Sequence, residues 1–136
     1  MPPDEIEVLA PSGAIKPTGP WSLGIRAGDF VFVAGMRGLD PAANRLVDGE
    51  AARVRQAFSN MKTIVEAAGG SLRDAVRLVV YVTDMDRHRL LVNRMQEELW
   101  RDGPYPPRSI VEVSRLNQDD IVELEGTFFC PLRRAD

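Results

Sequence analysis

One cysteine, one histidine and two lysines stand among the 136 residues, and no long apolar run is present. The single thiol, Cys130, excludes an intramolecular disulfide and fits a reducing compartment. The single imidazole, His88, leaves too few ligands for a zinc site of the usual Cys/His kind within one chain, so no metal is expected. A spanning helix needs about 20 predominantly apolar residues, and none is found, so no membrane partner is expected. The N-terminus reads Met-Pro-Pro-Asp-Glu, acidic where a secretory signal needs basic residues, and the expected location is cytoplasmic. Positive charge is also short. With a net charge of −3 the chain offers no global field for nucleic acid, and its 15 arginines are scattered rather than clustered.

What is present fits one domain over residues 1–136. Hydrophobic residues at 44% and charged residues at 27% give the balance of a globular core rather than a disordered chain. Five of the ten prolines lie in the first 20 residues, so residues 1–20 read as an extended, irregular entry segment. Leu23 to Ala34 reads as a hairpin turning at Ala27-Gly28-Asp29, with a loop at Gly35, Gly38 and Pro41. Val54, Phe58, Met61, Val65 and Ala68 recur at helical spacing, with Asp48 or a neighbour as cap and Gly69-Gly70 as stop. Val76 to Val82, apolar and β-branched apart from Arg77, reads as a buried strand. A second helix starts at Asp84 or Asp86, turns Val92, Met95 and Leu99 inward, and ends before Gly103-Pro104. Ser109–Val113 and Ile121–Phe129 are further strands. The order β-β-α-β-α-β-β implies an α/β fold: a mixed sheet with both helices packed on one face. The other sheet face then needs cover, and a second copy of the chain is the expected supplier.

Chemistry-bearing motifs are few. There is no P-loop, Gly-x-Gly-x-x-Gly, Gly-x-Ser-x-Gly or His-Glu-x-x-His. Gly24, Gly28, Gly35 and Gly38 read as ordinary turn glycines, His88 as a solvent-facing helix residue and Cys130 as structural. Strand alternation puts Arg108, Ile110 and Glu112 on one face, and Glu123 with Glu125 on one face of the last strand. Two readings stand. These charges form an exposed polar face, or an arginine and a glutamate converge on a pocket. In the second, the guanidinium holds a substrate carboxylate in two hydrogen bonds while the glutamate deprotonates a water.

Taken in order, Gly19-Pro20-Trp21, Phe30-Val31-Phe32-Val33-Ala34-Gly35, Leu39-Asp40-Pro41, Val80-Tyr81-Val82-Thr83-Asp84-Met85, Pro107-Arg108-Ser109 and Val122-Glu123-Leu124-Glu125 make a pattern. The chain resembles the RidA (YjgF/YER057c/UK114) family from Gly19 to Pro131. The resemblance implies a chorismate-mutase-like α/β domain, homotrimers with sites between subunits, and hydrolysis of enamines and imines to ketones and ammonia without metal or organic cofactor. It gives Arg108 the substrate carboxylate and Glu123 the attacking water. Gly35 matches a glycine whose backbone lies at the ligand, and Asn93 a recurring asparagine on the second helix.

The chain also departs from the pattern. Trp21 stands where the archetype has tyrosine, Ala34 where serine is common, and Ile110 where the best-studied subgroup has cysteine. Met36-Arg37 brings an additional arginine near the cleft. A substrate bulkier than 2-aminoacrylate follows, with Trp21 either stacking on it or packing in the core or trimer interface, and Arg37 either solvated or holding a second carboxylate, as in a 2-aminomuconate-type substrate. Alternative roles are an endoribonuclease or translation inhibitor, which the charge disfavours, and a non-enzymatic ligand-binding or chaperone-like trimer.

Overall fold

Alternating apolar side chains in Phe30–Arg37 and Val122–Phe129 make these segments the paired centre of a sheet. The computed structural model describes residues 5–132. Its strands are β1 (Ile6–Leu9), β2 (Gly24–Ala27), β3 (Phe30–Arg37), β4 (Leu39–Asp40), β5 (Arg45–Leu46), β6 (Ala75–Val82), β7 (Arg108–Glu112) and β8 (Val122–Phe129). The helices are α1 (Glu50–Ala67) and α2 (Met85–Trp100). Six strands form one mixed sheet in the order β1-β2-β3-β8-β6-β7, and β4 pairs with β5 in a small ribbon. β6 and β7 run parallel, with α2 as their crossover.

This is the expected α/β arrangement, with two additions. The entry segment contains β1, an edge strand paired with β2, and the loop after Gly38 contains the β4–β5 ribbon. Both are too short for their alternation to stand out from coil.

The inner face of α1 carries Val54, Phe58, Met61 and Val65, all buried, while Ala68 is half-buried at its end. No side chain caps its start; Gly49 occupies that position at φ +95°, which glycine adopts without steric cost. The C-terminal stop is as read. Gly69 takes φ +84°, and the amides of Gly69 and Gly70 donate back to the carbonyls of Glu66 and Val65. Asp84 caps α2 by accepting from the Arg87 amide. Phe58 and Trp100 meet edge to face with centroids 6.1 Å apart and tie the two helices together.

Two readings need correction. β6 is buried on one face rather than both: Leu78, Val80 and Val82 are enclosed, whereas Val76 is exposed and Val79 and Tyr81 are half-buried. The helices cover one side of the sheet, and Phe30, Phe32, Val111 and Phe129 remain exposed on the other. His88 is not solvent-facing. It is buried, with Nε2 2.5 Å from Oε2 of Glu50 at the start of α1. His88 precedes Val92 by four residues, so it belongs to the inner helix face. Among the described residues no helix is long and apolar enough to cross a membrane.

Candidate active site

The pairing of β3 with β8 is regular up to Val33 opposite Gly126 and resumes at Met36 opposite Leu124. Ala34 and Gly35 therefore share the place opposite Glu125, a bulge that breaks the ladder and re-aims the strand. Beside the bulge lies a cavity of about 360 Å³ lined by Gly35, Arg37 and Glu123, by Ile15 and Lys16 of the entry segment, and by Trp21 just after it. Of the anticipated site residues, Trp21, Gly35, Arg37 and Glu123 come together here.

Glu123 is half-buried on the sheet face away from the helices. Burial lifts its carboxyl above the ordinary carboxylate range; the Arg37 guanidinium opposes this, and the charges of Glu125 and Asp120 add to it. Gly35 is no turn glycine: a Cβ there would stand 2.7 Å from Cδ of Glu123. Gly24 and Gly38 are likewise held by close neighbours, Ile64 and the Arg53 backbone, whereas Gly28 is a true turn residue at φ +59°.

Arg37 is neither solvated nor free for a second carboxylate. Its guanidinium is buried and donates to the Asn117 carbonyl and to Oε1 of Gln118, both at 2.9 Å. It also lies 3.6 Å from Asp120 and, through Nε, 3.9 Å from Glu123. Asp120, fully enclosed, accepts in turn from the Gly38 amide. Sequence reasoning missed Asp120 because it sits in a polar run, Asn117-Gln118-Asp119-Asp120, with nothing to single it out.

Arg108, Ile110 and Asn93 lie elsewhere. Arg108 stands beside Leu78 in the parallel register and Ile110 beside Val80, so both point to the helix side of the sheet. Nη1 of Arg108 donates to Oδ1 of Asn93 at 2.8 Å and to Oε1 of Gln96 at 2.7 Å. Gln96, unmarked in the sequence reading, is three residues beyond Asn93 on the same helix stripe. Both partners are neutral amides, and among the described residues Arg108 makes no ion pair. Nε and Nη2 remain as the side-on fork that binds a carboxylate in two parallel bonds. Burial, with the like charge of Arg89, pulls its pKa below the usual arginine value. Within one chain Arg108 and Glu123 thus face opposite sides of the sheet and do not converge.

The endoribonuclease L-PSP family model matches residues 11–129. A RutC family protein from Pyrococcus horikoshii is 40% identical over 121 residues, covering 88% of this chain and 94% of that protein. A 2-iminobutanoate/2-iminopropanoate deaminase from Salmonella typhimurium is 33% identical over 122 residues, with coverages of 88% and 94%. Among solved structures, a protein from Rhodopseudomonas palustris described as a probable translation initiation inhibitor is 49% identical, with a TM-score of 0.91 over 94% of this chain and 100% of its own. Motifs, sheet order and these matches agree: the chain belongs to the RidA (YjgF/YER057c/UK114) family.

Proposed function

We propose that the protein is a cofactor-free deaminase that hydrolyses 2-imino and 2-enamino acids to 2-keto acids and ammonia. The observation that carries this reading is the half-buried Glu123 in a cavity of about 360 Å³, with its carboxyl lifted above the ordinary range by burial. A base with a raised pKa suits proton transfer near neutral pH.

The imine carbon is electrophilic. Glu123 takes a proton from water as the oxygen adds to C=N and passes it to the nitrogen, giving a carbinolamine. The carboxylate then takes the hydroxyl proton and delivers it to the departing nitrogen, so that C=O forms, ammonia leaves and Glu123 is again ionised. Net, one water is consumed per imine. Arg108 holds the carboxylate of the substrate, which fixes the reacting carbon at the base.

Because one chain keeps Arg108 and Glu123 on opposite faces of its sheet, the reading requires a second copy to bring its Arg108 to this cavity. The open sheet face, with Phe30, Phe32, Val111 and Phe129 exposed, supplies the apolar surface for that assembly, and the family reading makes it a homotrimer. Trp21 on the cavity wall favours substrates bulkier than 2-aminoacrylate. With Arg37 held by Asn117, Gln118 and Asp120, a dicarboxylate gains nothing from it.

The test is ammonia release from imines generated in situ by an amino-acid oxidase, across small, branched and aromatic side chains. Acceleration that drops at least tenfold in Glu123→Gln is expected; equal rates with and without the protein across the panel would refute the reading.

A further inference from the structure

Glu123 has a neighbour that the reaction as described does not use. Glu125 lies two residues on along β8, so both carboxylates project from the same face of the sheet. Tyr81 of β6 stands directly opposite Glu123 in the antiparallel register. Its hydroxyl nevertheless reaches diagonally to Glu125 and donates to Oε1 at 2.5 Å. The Tyr81 ring thus lies beside one carboxylate while its hydroxyl is committed to the other.

We propose, resting on the deaminase reading, that Tyr81 is a positioning residue: by holding Glu125 as a hydrogen-bond acceptor it assigns the proton handled by the paired carboxylates to Glu123.

The Tyr81 phenol is the donor and the Glu125 carboxylate the acceptor, so the bond occupies Oε1 of Glu125 and leaves the Glu123 carboxylate without a phenolic partner. The charge of Glu125 acts on Glu123 across the face they share, and a proton handled by the pair goes to the carboxylate without the donor. The other groups around them act in both senses. Arg77 of β6 flanks Tyr81 and lines the same shallow hollow as Glu125. Around Glu123 stand Arg37 from β3, Asp120 ahead of β8 and Lys16 across the cavity. Arg37 favours the charged form of Glu123, while Asp120 and Glu125 favour its protonation. The hydrogen bond to Glu125 and burial raise the Tyr81 hydroxyl above its ordinary value, so the phenol remains a donor throughout the neutral range.

The consequence is directional. Removing the Tyr81 hydroxyl lets Glu125 compete for the proton, and the charge that pushes Glu123 upward weakens as pH falls. Removing the Glu125 charge has the same effect outright. Glu123 should therefore titrate at lower pH in Tyr81→Phe and in Glu125→Gln, with the larger shift in Glu125→Gln. The double variant should match Glu125→Gln alone.

The experiment is a carbon-13 NMR titration of the glutamate side-chain carboxyls, with Glu123 assigned by its loss in Glu123→Gln. A lowered midpoint in both single variants, with no added shift in the double variant, is the expected result. An unchanged midpoint in Tyr81→Phe alongside native-like folding, or additive shifts, would overturn the proposal. The acid limb of the pH–rate profile should move with the NMR midpoint. An inactive wild-type protein would refute the deaminase reading while leaving the titration to judge Tyr81 separately.

Discussion

Gly35 and the carboxylate of Glu123 occupy adjoining space so closely that a Cβ at position 35 would stand 2.7 Å from Cδ and 2.8 Å from Oε2. The colliding atoms are the end of a flexible side chain, so an added methyl displaces the carboxylate rather than the strand. Gly35→Ala should accordingly lower activity by about 100-fold, the cost of an ångström-scale misplacement of a reacting group. Thermal melting should shift little. A variant that retains full turnover would show that the carboxylate position does not matter.

Asp120 is the anchor beneath the site. It is enclosed, accepts from the Gly38 amide and sits 3.6 Å from Arg37 and 3.9 Å from Arg53. Asp120→Ala leaves the buried Gly38 amide without its acceptor and the buried Arg37 without its nearest counter-charge, a class of change that costs about 3–5 kcal/mol. Chemical denaturation should read that loss. A destabilisation below about 1 kcal/mol would mean that water replaces the carboxylate readily.

Such anchors explain what was legible beforehand. Period-two and helical spacing exposed the strands and helices, because each places one apolar stripe on one core. The Gly69-Gly70 stop and the Asp84 cap were legible for the same local reason. Asp120, Gln96 and the Tyr81–Glu125 bond were not, since each depends on partners 12 to 82 positions away in sequence. The position of Arg37 two residues after Gly35 is visible in the sequence, but its commitment to Asn117 and Gln118 is a tertiary fact. The opposite projection of Arg108 and Glu123 follows from the parallel β6–β7 register, which alternation within a single strand does not contain.

The raised Glu123 pKa has two consequences with definite signs. Activity should fall as pH drops through a midpoint above the usual carboxylate value of about 4.3. Between the unfolded value and the raised folded value the native state binds more protons, so stability attributable to this group declines as pH rises through that window. Glu123→Gln should therefore melt no lower than wild type at neutral pH while losing activity. A markedly lower melting temperature would show instead that the charged carboxylate holds the fold.

Glu50 carries the opposite sign. Its hydrogen bond to His88, joined by Arg87, holds the carboxyl below the ordinary range despite some opposing burial. Its stabilising share is present above the unfolded carboxylate value and disappears as pH falls through the lowered folded value. Glu50→Gln should denature more easily than wild type at pH 7, with the gap closing as pH falls below the ordinary carboxylate range. A gap independent of pH would assign the effect to packing of His88 rather than to charge.

The proposed site is assembled from two copies, one supplying Arg108 and the other Glu123. Arg108→Ala and Glu123→Gln chains, each inactive alone, should be unfolded together, refolded as a mixture and assayed for imine hydrolysis. Random assembly places an intact Arg108 against an intact Glu123 in about one site in four, so activity near a quarter of wild type is predicted. A refolded mixture no more active than its separate components would contradict the shared site.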